Sequence, residues 1–104
     1  MSVVALRQEE KPATAIDQAS EVLTFLNSKT GRKFPARNPK GAPTANAEVV
    51  MARFREGYTV EDCKAVIAAK YRQWNHDEKM AKFLTPDTLF RRSNFERYMG
   101  ELGE

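Results

Sequence analysis

Apolar positions recur along this chain at steps of three and four residues, the period of a helix with one buried face. The clearest case is Tyr58 to Trp74, where Cys63, Val66, Ile67, Tyr71 and Trp74 share a side. Glu61, Lys64, Ala68 and Arg72 fall on or near the opposite side, which predicts an amphipathic helix with one dry face. Thr59 is a good N-cap and Asp62 lies three residues on, an acidic variant of the capping box worth about 1 kcal/mol. The other elements are expected to gather around this one.

Residues Met1 to Ala13 read as a lead-in, with a short apolar patch (Val3, Val4, Leu6) ahead of charges and Pro12. A first helix is expected over Ala15–Ser28, capped by Thr14, with Ile16, Ala19, Val22, Leu23 and Leu26 as its stripe and Phe25 at the edge. Gly31 suits a left-handed stop. A second helix is expected from Thr44 to about Glu56. Its buried face is Ala47, Val50, Met51 and Phe54, with Arg53 and Arg55 turned elsewhere. Gly57 ends it, so the second and third helices are expected to form a tight angled pair. After Trp74 come one or two helical turns with Met80, Phe83 and Leu84 inward. Thr85-Pro86-Asp87 then signals a new start carrying Leu89 and Phe90. Ser93-Asn94-Phe95-Glu96 reads as a capping box for a last helix, with Phe95, Tyr98, Met99 and Leu102 inward. No segment alternates with period two, so the fold class is all-α: one small domain of four to six short helices over residues 14–104. A short extended pairing near Phe34 is the single place left for strand geometry.

Between the first two helices, Lys29 to Pro43 holds three prolines and two glycines, which rule out a long helix. This loop carries Lys29, Arg32, Lys33, Arg37 and Lys40 and no acid. Five phosphate contacts would give a salt slope of about −4.5 for nucleic-acid binding. Arg91 and Arg92, with Arg97, extend that patch if the last helix lies beside the loop. The plainer reading is a solvated loop balanced by Asp17, Glu21, Glu56 and Glu61. Phe34 is expected to anchor the loop on the core.

Composition narrows the choice. At 104 residues the chain has room for one core and not two. Its formal net charge of +3 permits an anionic partner without requiring one. The single cysteine, Cys63, forms no intramolecular disulfide, so nothing points to an oxidising compartment. Apolar runs are far too short for a membrane span, and Val3 to Leu6 is too short for a signal-peptide core. A cytoplasmic location, no membrane contact and no small-molecule substrate are the expectations.

Candidate chemistry is sparse. Trp74 with Tyr58 and Tyr71 offers either a platform for bases or a hot spot for a protein partner, although the spacing of Tyr71 and Trp74 with Ile67 favours core packing. His76-Asp77-Glu78 lacks the second His or Cys that a zinc site requires. Cys63 reads as a small buried hydrophobe. No Walker-type loop or dinucleotide fingerprint occurs. No catalytic residue, metal or cofactor is assigned, and the chain is expected not to be an enzyme.

Three segments taken together resemble a known family: Leu23 through Phe34, Ala52 through Trp74, and Phe83-Leu84-Thr85-Pro86-Asp87-Thr88-Leu89-Phe90 through Tyr98. In order and spacing they are similar to the conserved phage C-terminal domain, found at the end of phage and prophage replication-initiation proteins (replisome organisers). The likeness covers roughly residues 20 to 100. In that family a DNA-binding winged-helix region usually precedes the domain, and none precedes it here. The chain is therefore expected to be either a free-standing small phage protein or a fragment. The family also tends to carry Arg before the Pro-x-Thr-Leu-Phe run, where this chain has Thr85. The resemblance implies a replication context and a docking partner, the host replicative helicase or its loader. The alternatives are a nucleic-acid-binding module using the Lys29–Lys40 loop, and a small phage inhibitor or regulator of a host protein.

Overall fold

The computed structural model describes residues 13–103. The lead-in patch at Val3, Val4 and Leu6 lies outside them. Among the described residues six helices follow in order: α1 (Ala15–Thr30), α2 (Ala45–Arg55), α3 (Val60–Trp74), α4 (Glu78–Ala81), α5 (Pro86–Phe90) and α6 (Arg92–Leu102). Among the described residues there is no strand, only an isolated antiparallel bridge between Arg37 and Pro43.

Capping residues set the helix starts. Thr14 and Asp17 form a reciprocal capping box at α1, and Thr59 and Asp62 do the same at α3. Each satisfies two of the amide donors that a helix start leaves open. Thr44 caps α2 by accepting from the Ala47 amide, and its hydroxyl also donates to the Pro35 carbonyl at 2.6 Å. That second bond ties the long loop to the helix it leads into. Thr85 caps α5 by accepting from the Thr88 amide.

α1 packs against both α2 and α3, while α6 lies on α3 and α5. Ala19, Val22, Leu23 and Leu26 of α1 meet Ala47 and Val50 of α2 and Cys63, Val66 and Ile67 of α3 in one dry core, which Leu89, Phe90 and Phe95 close from the other side. α2 and α3 are joined by a turn at Gly57, whose φ of 102° favours glycine. Yet they make few contacts with each other; α2 buries its face mainly against α1 and α5, and α3 against α1 and α6. The expected tight helix pair is therefore only a tight connection.

Four other expectations need correction. Arg53 is buried instead of turned outward, because its guanidinium donates through Nη1 to the Phe90 carbonyl (3.1 Å) and through Nη2 to Glu56 (2.9 Å). Phe83 is 41% exposed: the turn after α4 sends Leu84 inward and leaves the neighbouring ring outside. Leu102, in the last turn of α6, is also exposed. Finally, α6 starts at Arg92, with no side-chain cap. The Phe95 amide already bonds the Arg91 carbonyl, so Ser93 is inside the helix, and Asn94 instead donates to the Thr88 carbonyl.

Cys63 is fully buried, and its thiol pKa is pushed up to about 12, first by desolvation and then by the Asp62 carboxylate, against a smaller opposite pull from Arg53. Folding therefore favours the thiol. That contribution is whole below the ordinary thiol pKa of 9.0 and is lost as pH rises toward about 12. Native protein at pH 8 is expected to resist Ellman's reagent, with one thiol reacting at once in denaturant. Rapid reaction of the native chain would place Cys63 at the surface.

Candidate interaction surface

The five loop cations have different surroundings. Arg32 follows the left-handed turn at Gly31 and reaches across the molecule, donating from Nη1 to the Leu84 carbonyl (3.0 Å) and from Nη2 to the Ala81 carbonyl (3.2 Å). It is a structural tie between the start of the loop and the α4–α5 connection. Arg37 pairs with Asp17 at 3.2 Å and also approaches the Gly41 carbonyl. The capping bonds from the Thr14 hydroxyl and backbone, with a smaller contribution from Arg37, hold the Asp17 carboxyl below its usual range. Lys29 lies over the rings of Phe25 and Tyr71, 5.4 and 5.7 Å from their centroids. Lys29, Lys33 and Lys40 are exposed with no charged partner and no side-chain hydrogen bond among the described residues, and of these Lys33 and Lys40 also have no ring beneath them.

The loop itself is ordered by polar contacts. The Asn27 side chain brackets Phe34, donating to its carbonyl and accepting from its amide. Phe34 packs on the core, as its place in the loop suggested. The Asn38 carboxamide oxygen accepts from the amides of Lys40 and Ala42.

Arg91 and Arg92 are paired with acids outside the loop. Arg91 pairs with Asp87 at 2.7 Å, and Arg92 with Glu96 at 3.3 Å and Glu56 at 3.6 Å. The helix they start packs on α3 and α5.

Neither aromatic candidate is a free platform. Tyr58 stands edge-on to Phe95 at 4.9 Å, and Trp74 edge-on to Tyr98 at 6.0 Å. Both are half-buried against the core. Trp74→Ala is expected to cost about 2–3 kcal/mol, below the 3–5 of a fully buried ring. A urea melt measures it, and a change near zero would make Trp74 a surface residue.

Sequence reasoning missed Lys70. Its ammonium is buried, 4.3 Å from the Tyr98 ring centroid and 5.4 Å from that of Trp74, and it bonds Glu101 at 2.6 Å and Gln73 at 3.1 Å. A cation held by two rings and a carboxylate fastens the end of α6 to α3. The signal was present: Val66, Lys70 and Trp74 fall at i, i+4 and i+8 on the packed side of α3.

Two depressions mark the surface. One, of about 180 Å³, lies where α1 and α3 end beside α4, lined by Lys29, Thr30, Arg32, Tyr71, Asn75 and Leu84. The other, wider and shallower at about 470 Å³, runs along α1 past Ser20, Thr24, Phe25 and Ser28, with the paired charges Glu21 and Lys64 at its rim. His76 is exposed and meets only the Asn75 side chain. Among the described residues no group of three His, Cys, Asp or Glu side chains is arranged to hold a metal ion. No helix there is long and apolar enough to cross a membrane.

Fold and surface together define a small all-α domain whose buried polar groups serve to lock helices. The chain belongs to the conserved phage C-terminus family, which matches residues 22–100, from the second turn of α1 to the last turn of α6. Comparison with curated proteins gave no match, and neither did comparison with solved structures.

Proposed function

We propose that this domain is a non-enzymatic module of phage DNA replication that docks on a host replication protein, the replicative helicase or its loader, in the bacterial cytoplasm. The observation that carries this reading is the extent of the family match: it spans the folded helical unit and not a peripheral segment. The helical domain as a whole is thus what this chain shares with the family, and the replication context is what the resemblance of its three segments implies. The chemistry of the interior agrees with a binding role. The one thiol is buried and held protonated, and the buried cations Arg53 and Lys70 are tied into packing. A nucleophile with its base, the minimum for covalent catalysis, is not assembled from such parts.

The test is capture from host lysate with the full chain as bait, followed by mass spectrometry. Recovery of the helicase or its loader supports the reading; recovery of neither removes it. A phage inhibitor of the same host protein would dock in the same way, and a replication assay with added domain separates the two by the sign of the effect.

Direct nucleic-acid binding by the loop is the second reading, favoured by the exposure of Lys33 and Lys40. With Arg32 bonded to backbone carbonyls and Arg37 paired with Asp17 at the surface, three unpaired loop lysines remain to meet phosphates, and the salt slope falls to about −2.7. Lys33→Glu with Arg37→Glu is expected to abolish any such binding in fluorescence anisotropy. The melting temperature should stay nearly unchanged, because the Arg37–Asp17 pair is exposed and contributes little. A large loss of stability would make these residues structural.

A further inference from the structure

The smaller depression has features that the docking reading leaves unused. Three elements that are distant in sequence meet there: the end of α1, the end of α3 and the α4–α5 turn. Arg32 fixes that turn by holding two of its carbonyls. The residues between those carbonyls are Lys82 and Phe83. Phe83 is the most exposed of the large hydrophobic side chains among the described residues, and the Lys82 ammonium lies 5.4 Å from its ring centroid. An ordered turn thus presents an aromatic ring and a cation to solvent together. Beside it, the depression offers the Lys29 ammonium, which has no carboxylate partner among the described residues, the Thr30 hydroxyl, the Asn75 carboxamide and a wall from Tyr71 and Leu84.

We propose that this cleft is the docking point, and that its occupant is a short acidic peptide segment of the partner carrying an apolar side chain. The proposal rests on the docking reading above. Carboxylates would meet Lys29 and Lys82, and the apolar side chain would sit against Phe83 and the Tyr71–Leu84 wall. Charge decides against the other occupants. A nucleic-acid strand needs a cationic track along its backbone. Here Arg91 and Arg92 are paired elsewhere and Arg37 is paired with Asp17, so Lys29 and Lys82 offer two local contacts for carboxylates and not a track for a strand. The wider groove on α1 has its lysine already neutralised by Glu21, so it has no charge preference to offer a partner.

The experiment is titration of the full ¹⁵N-labelled chain with a synthetic peptide of aspartates flanking a central Phe-Leu pair. Controls are the same peptide with Ala-Ala at its centre, and oligothymidylate. The Phe-Leu peptide is expected to shift the amides of Thr30, Arg32, Asn75 and Phe83. Lys29→Glu and Phe83→Ser should each weaken its affinity by about tenfold or more, while Lys40→Glu, on the far part of the loop, should leave it unchanged. Thermal melts of each variant confirm folding. Shifts centred on residues 33–40, equal affinity in all three variants, or shifts of the cleft by oligothymidylate alone each overturn the proposal. If the helicase or its loader is captured equally by wild-type, Lys29→Glu and Phe83→Ser chains, docking stands and this cleft is not its site. Failure to capture either protein removes the docking reading itself.

Discussion

Phe95→Ala is expected to destabilise the domain by about 4 kcal/mol, the range for a fully buried aromatic ring cut back to a methyl. Phe95 is 0% exposed, and it meets Tyr58 edge-on at 4.9 Å and Phe90 at 5.7 Å. Through this ring α6 is seated on the end of the α2–α3 turn and on α5 at once. Truncation therefore removes apolar burial and leaves a void between three elements that are otherwise joined by short connections. A domain of this size has roughly 5–15 kcal/mol in total, so the variant should melt about 15–25 °C lower. Phe95→Leu, which keeps most of the volume, should lose under half as much. Equilibrium urea unfolding measures both. A loss below about 1 kcal/mol for the alanine variant would mean that α6 does not pack as described.

Arg53→Ala carries the second-largest expected effect, about 2–4 kcal/mol. The buried guanidinium donates to the Phe90 carbonyl, where α5 gives way to α6, and to Glu56, which Arg92 also approaches at 3.6 Å. Without it a buried carbonyl loses its donor and the arginine stem leaves a gap. Its Nε has no protein partner, so the site is already imperfectly satisfied and the net loss should fall short of the largest buried-pair values. Arg53→Met keeps the stem volume and should cost less than Arg53→Ala. Thermal melts of both order them; equal losses would mean that packing by the stem contributes nothing.

Much of the fold could be read because its information is local. Thr14 with Asp17, and Thr59 with Asp62, are three-residue patterns whose meaning needs no tertiary context. Thr44, Thr85 and Pro86 likewise sit where such residues start helices. What resisted reading was long-range. Arg53 turns inward because a carbonyl 37 residues away needs a donor, and Arg32 is occupied by carbonyls 49 and 52 residues on. Neither fact is present in a stretch of neighbouring residues. In sequence an aromatic beside Leu84 has equal claim to the core; the turn held by Arg32 admits only the leucine and leaves Phe83 outside. Ser93 fits a capping pattern that is sound in isolation, but the short α5–α6 joint starts the helix earlier. The candidate surface suffered most. A cluster of positive residues in sequence is a patch only if their charges stay free in water; Arg32 is drawn onto two distant carbonyls and Arg37 is neutralised at the surface by Asp17.

The most direct measurement of the central claim is isothermal titration of the purified domain with the purified host helicase, and separately with its loader. Saturable binding to one of them, with the same partner recovered from lysate, is the result this account predicts. Absence of heat and of any co-migrating complex with both proteins, by a chain whose circular dichroism is helical and whose melt is cooperative, would contradict it.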